Sequence, residues 1–170
     1  TAAGALLDIT RAPQRGKRLR ADKGLNFPGT ALHVTPLTEK DRRDLDFVAH
    51  HADLIGYSFV QHPGDVDLLL DALAASGAST RRDLGLVLKI ETAQAVRQLP
   101  ELIVAAAGRL PTAVMIARGD LAVEVGFERL AEIQEELLWL CEAAHLPVIW
   151  ATQVLEQLAQ EGVPARGEVT

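Results

Sequence analysis

Apolar residues fall along this chain in two alternating rhythms. Four short runs are apolar along nearly their whole length: Leu54–Val60 (LIGYSFV), Leu86–Glu91 (LVLKIE), Ala113–Ala117 (AVMIA) and Pro147–Thr152 (PVIWAT). A strand covered on both faces reads this way, whereas a half-exposed strand alternates apolar with polar. The runs begin roughly 30 residues apart, which is the chain needed for a strand, a crossover helix and two short loops. Between them the apolar positions take the helical period. Thr38 and Asp41 make a capping box with Asp in place of Glu, and Leu45, Val48, Ala49 and Ala52 form the stripe that follows. Val66, Leu69, Leu70 and Leu73 repeat the i, i+3, i+4, i+7 pattern, with Gly77 as the stop. Leu130, Ile133, Leu137, Leu138 and Cys141 do the same within Glu128–His145. Residues 92–109 are expected to be mainly helical, with Pro100 dividing them into a short turn and a longer piece. A last helix is expected after Gln153. Strands alternating with helices give an α/β fold around a parallel sheet.

Residues 1–30 break this pattern. GALLDIT suits a short strand, and QRGKRLRADKGLNFPG is basic, carries three glycines and has no helical period, so hairpin and loop are expected there. The chain is therefore divided at residue 30, between the end of a small β unit and a segment of four parallel strands with their helices.

Composition narrows what such a fold can do. The 170 residues suffice for one sizeable core, and with 48% hydrophobic and only 4% aromatic residues that core must be aliphatic. Lys and Arg number 17 against 23 Asp and Glu, a net charge of −6, which argues against a nucleic-acid partner because phosphate binding needs a basic footprint. The longest apolar runs stop well short of membrane-spanning length, so no membrane partner is expected. The single cysteine, Cys141, can make neither an internal disulfide nor a thiolate zinc site, and fits a cytoplasmic location. The chain neither begins with Met nor ends in a polar tail, and is expected to be a segment of a longer protein.

In parallel α/β sheets functional groups gather at the carboxyl ends of the strands. Each run here ends in polar residues that its apolar body does not require. In LKIE, Lys89 and Glu91 are two apart and share a face while Ile90 turns to the helices. Arg118, Gly119 and Asp120 close the third run, where Gly admits a close backbone approach and Asp can ligate a metal. Ser58 closes the first run and Thr152 the fourth. Structural explanations stand beside each of these. Lys89 and Glu91 equally suit an ion pair plugging the end of a barrel, Asp120 a helix cap, and Ser58 and Thr152 the satisfaction of backbone groups. Arg-Gly-Asp is also a cell-adhesion tripeptide, but here it follows a buried strand. His50 and His51 end a helix, where histidine suits the dipole, so with His62 they are expected to face solvent rather than a metal. Cys141 lies in a helix stripe and is expected to pack in the core.

The segments KGLNFPG, LTEKDRRDL, SFV, KIE, MIARGDLAVE, PVIWATQVLE and PARGEVT, in this order and spacing, resemble the pyruvate kinase family over nearly all the chain. The resemblance implies a (β/α)₈ TIM barrel, of which this chain would be about half, preceded by the end of the small β-domain inserted in that barrel. It implies that Glu91 and Asp120 hold Mg²⁺ or Mn²⁺, and that Lys89 sits beside the phosphoryl group in transit. The amides of Gly119 and Asp120 would bind the substrate carboxylate, Thr152 would contact substrate, and Arg118 and Ser58 match positions near the site. The parent would transfer the phosphoryl group of phosphoenolpyruvate to ADP, giving pyruvate and ATP, as a homo-oligomer. The family's phosphate-gripping arginine and its K⁺ ligands lie in parts absent from this chain, so the isolated segment is expected to be inactive. PARGEVT departs from the family's PTRAE at Ala165 and Gly167, and Val154 replaces a common Met. Two other functions remain open: a metal-dependent lyase or aldolase working through a pyruvate enolate, and a catalytically silent regulatory homologue. Retention of Lys89 favours the kinase, and intact Lys89, Glu91 and Asp120 speak against the silent homologue.

Overall fold

A computed structural model describes residues 8, 13–16, 18, 27–30, 34–76, 83–152 and 154–163. Four strands, β1 (Leu54–Tyr57), β2 (Gly85–Ile90), β3 (Thr112–Ala117) and β4 (Val148–Ala151), form one parallel sheet in the order β1-β2-β3-β4. The order follows the sequence without reversing, as in a barrel wall and unlike a doubly wound sheet. The barrel is not closed: the four strands form an open sheet.

The helices are α1 (Glu39–His51), α2 (Pro63–Ala75), α3 (Ala93–Arg97), α4 (Leu99–Ala107), α5 (Arg118–Val125), α6 (Phe127–Ala143) and α7 (Glu156–Glu161). One face of the sheet meets them. Ile55 and Tyr57 of β1, Leu86, Leu88 and Ile90 of β2, and Val114 and Ile116 of β3 share a single cluster with Leu45, Leu69, Leu102 and Leu137 from the helices. The alternate positions, Gly56, Val87, Lys89 and Met115, line the other face, with Val87 paired to Gly56 and Lys89 to Met115.

Helix ends follow the local chemistry expected of them. The Thr38 hydroxyl accepts the Asp41 N–H at 3.1 Å, and the Asp41 carboxylate accepts the Thr38 N–H at 2.8 Å, completing the capping box. Bonds from the Thr38 hydroxyl and N–H hold the Asp41 carboxyl below its ordinary pKa. A group depressed on folding stabilises at neutral pH and loses that contribution as pH falls through its folded value. Thr38→Ala is therefore expected to cost about 1 kcal/mol at pH 7 in denaturant unfolding, and the difference from the unaltered protein to shrink on acidification. An equal difference at low pH would exclude the carboxylate's part. Pro100 stands at the start of α4, after a break at Gln98, as its missing N–H and fixed φ require.

Several boundaries differ from the sequence reading. β1 ends at Tyr57 rather than running on to Val60, because Ser58 and Phe59 turn and Phe59 adopts φ 53°. The three residues after Ala117, expected to close the third run, are helical. They open α5, which ends at Gly126, whose φ of 86° favours glycine and separates α5 from α6. Asp120 lies in the first turn of α5 and does not cap it. The helical stripes at Leu45–Ala52 and Val66–Leu73 fall on α1 and α2 within a residue, the helix expected within Glu128–His145 is present within two residues, and α7 begins after Gln153 as expected. The expected strand at 4–10, most of the hairpin at 14–29, the stop at Gly77 and the PARGEVT segment lie outside the described residues, save Asp8 and the residues named above. No helix among the described residues is long and apolar enough to cross a membrane. Cys141 is fully buried in α6, and burial pushes its thiol up to about 11, so it packs as a small apolar residue.

Candidate active site

Ser58, Glu91, Arg118, Gly119, Asp120 and Thr152 follow the carboxyl ends of the four strands and Lys89 is the next-to-last residue of β2, so these residues share one rim of the sheet. They form two contact groups. In the first, the Lys89 ammonium lies 2.9 Å from Glu91 Oε1 and donates to the Ser58 hydroxyl at 2.8 Å. Glu91 is only 2% exposed, and its other oxygen, Oε2, accepts the Phe59 N–H at 2.6 Å. A buried carboxylate requires such partners, since an unpaired one would lose its hydration without return. The turn that ends β1 early is thus the one that brings the Phe59 amide and Ser58 to the end of β2. The lysine stem passes Gly56, where a Cβ would stand 3.8 Å from Lys89 Cδ, an ordinary contact.

The second group joins the start of α5 to the end of β4. The Gly119 N–H donates to the Thr152 hydroxyl at 3.2 Å, and Arg118 Nη2 donates to the Thr152 carbonyl at 2.5 Å. The Arg118 guanidinium also lies over the Trp150 ring, 5.4 Å from its centroid. Thr152 itself has φ 66°. Asp120 follows, half-buried, in the first turn of α5, on the strand end next to that of Glu91. A Cβ on Gly119 would lie 3.5 Å from the Thr152 hydroxyl, an ordinary contact. Protein packing alone therefore does not demand glycine at this point.

Sequence reasoning overlooked two participants. The Phe59 amide is a backbone group and leaves no side-chain signal. Trp150 sits in an apolar run that gives no sign of its contact with Arg118. His50 and His51 end α1 on its exposed surface, each with Nδ1 against a backbone carbonyl of its own helix, at 2.7 and 2.9 Å. The His62 N–H, with that of Gln61, donates to the Asp65 carboxylate. Among the described residues no three or more His, Cys, Asp or Glu side chains are grouped to hold a metal. Glu91 and Asp120 are two hard oxygen donors on neighbouring strand ends. Their donor type is the one Mg²⁺ prefers, an ion that commonly takes one or two protein carboxylates and completes its shell from substrate and water.

Fold and rim together define the class: a parallel α/β barrel-type segment with its polar residues on the carboxyl-end rim, where enzymes of this architecture do their chemistry. A sequence model described as pyruvate kinase, barrel domain, matches residues 6–170. The chain belongs to the pyruvate kinase family. Among its relatives are pyruvate kinase 2 of Synechocystis sp., 35% identical over 91% of this chain, and a pyruvate kinase of Agrobacterium vitis, 40% identical over 87%. Pyruvate kinase PKLR of Rattus norvegicus is 34% identical over 92% of the chain. The chain spans 25%, 29% and 26% of these three relatives' own lengths.

Proposed function

We propose that the protein carrying this chain transfers the phosphoryl group of phosphoenolpyruvate to ADP, and that this segment supplies part of the barrel rim where transfer occurs. The P–O bond to the enol oxygen breaks, a P–O bond to the terminal phosphate of ADP forms, and the enolate takes a proton at its terminal carbon to give pyruvate. The observation that carries the reading is the buried Glu91 carboxylate, fixed by Lys89 and the Phe59 amide on that rim in a chain of this family. Lys89 places a fixed positive charge where the phosphoryl oxygens gather charge. Phosphoryl transfer is catalysed mainly by such positioning and electrostatics. Glu91 and Asp120 would hold Mg²⁺ or Mn²⁺, which supplies further positive charge to the phosphoryl oxygens and the enolate. The amides of Gly119 and Asp120 bind the substrate carboxylate, and Gly119 lacks a side chain because the ligand approaches there. The Thr152 hydroxyl contacts substrate with Arg118 beside it, and Ser58, held by Lys89, stands near the site. A homo-oligomeric, cytoplasmic parent, with K⁺ bound outside this chain and the small β unit ending near residue 30, completes the reading.

In the full-length protein, Glu91→Gln and Asp120→Asn are each expected to weaken Mn²⁺ binding in a metal titration, since each removes one anionic ligand from a site with few. Unchanged affinity in both variants would overturn the ligand assignment. Pyruvate release from phosphoenolpyruvate in a coupled assay should depend on ADP. Metal-dependent cleavage or condensation of a pyruvate-yielding substrate without nucleotide would favour the lyase instead.

A further inference from the structure

The geometry points to Trp150 as a positioning residue for the substrate-contacting end of β4, acting through Arg118; the inference rests on the functional reading above. Three observations meet at this point. Thr152 is β-branched yet sits at φ 66°, a left-handed conformation that costs on the order of 1 kcal/mol or more and persists only where its surroundings enforce it. The contacts that enforce it come from the start of α5: Arg118 Nη2 on the Thr152 carbonyl and the Gly119 amide on its hydroxyl. Arg118 itself has little else to hold it. Among the described residues it has no carboxylate partner, and its Nε is buried without a hydrogen bond. What lies against its guanidinium is the Trp150 ring.

Trp150 and Thr152 are two residues apart across the end of β4, so the strand supplies both the ring that seats the arginine and the carbonyl that receives it. The guanidinium carbon lies over the π-system while Nη2 donates to the carbonyl, a combination that the forked guanidinium of Arg suits better than the single ammonium of Lys. Removing the ring frees Arg118, loosens its hold on the Thr152 carbonyl, and lets the Thr152 backbone leave the left-handed conformation that sets where its hydroxyl meets substrate. The effect belongs to substrate seating rather than to chemistry, because Lys89, Glu91 and Ser58 form a separate contact group.

The test uses the full-length protein labelled with 5-fluorotryptophan, the Trp150 ¹⁹F resonance being assigned as the one lost in Trp150→Phe. Arg118→Met should shift that resonance while leaving the one lost in Trp139→Phe in place. Trp150→Leu should raise KM for phosphoenolpyruvate roughly two- to fivefold, the equivalent of one exposed cation–π contact, with a smaller change in kcat. Trp150→Phe should restore most of the loss, and Trp150→Leu should add nothing in an Arg118→Met background. A Trp150 resonance that ignores Arg118→Met, or a Trp150→Leu penalty of equal size with and without Arg118, would overturn the clamp. If the unaltered protein forms no pyruvate from phosphoenolpyruvate and ADP, the functional reading fails, and the ¹⁹F shift alone decides the clamp.

Discussion

Lys89→Met in the full-length protein is expected to lower kcat for phosphoryl transfer to ADP by about 10²–10³, with KM for phosphoenolpyruvate changing far less. Nothing in the contacts of Lys89 calls for a uniform binding role. Its ammonium is anchored at both ends of its reach, 2.9 Å from Glu91 Oε1 and 2.8 Å from the Ser58 hydroxyl, so its charge is fixed in place before any substrate arrives. A charge fixed in advance acts most where negative charge is greatest, which is on the phosphoryl group in transit rather than in the ground state. Met keeps the stem that passes Gly56 and removes only the ammonium. It also leaves Glu91 buried with the Phe59 amide as its remaining partner, so unfolding is followed in parallel to separate lost chemistry from lost fold. Near-normal transfer by a folded Lys89→Met protein would reject the catalytic assignment and leave the lysine as half of a structural ion pair.

The same residues show how far the sequence can be read and where it stops. The alternation in LKIE is enough to put Lys89 and Glu91 on one face and Ile90 on the other, and the structure has Ile90 in the core and the other two in contact. Periodicity works there because a strand has only two faces. The capping box at Thr38 and the break before Pro100 were equally legible, since each is decided by groups within a few residues. The helix at Arg118–Val125 was not. It is short, it starts without a loop, and Gly119 near its beginning lowers helical propensity, so its formation depends on packing of Leu121 and Ala122 that local pattern does not record. The early end of β1 depends on Glu91, 32 residues away from the Phe59 amide it binds. Pairings of that range follow from strand register. Trp150 carried no local sign of its role for a related reason: its contact with Arg118 joins the end of β4 to the start of α5, which no nearby pattern records.

Leu88→Ala, one residue from Lys89, is expected to have the opposite effect: a loss of about 2–5 kcal/mol in stability and little change in KM or kcat for the protein that remains folded. Leu88 is fully buried in the middle of β2, pairs with Tyr57 on one side and Val114 on the other, and packs in the cluster that joins sheet to helices. Truncation there removes apolar contact and leaves a cavity that strands held on both sides by ladder hydrogen bonds cannot collapse to fill. The measurement is the shift in urea midpoint at unchanged slope, compared with Leu54→Ala on the same sheet. Leu54 is 62% exposed in the described structure and begins the opposite alternation, so any covering it gains comes from chain across the barrel rather than from the helices. A loss below about 1 kcal/mol for Leu88→Ala would mean that this face is not the one that holds the fold. The assignment of Lys89 to the catalytic face would then fall with it, because both rest on the same alternation along β2.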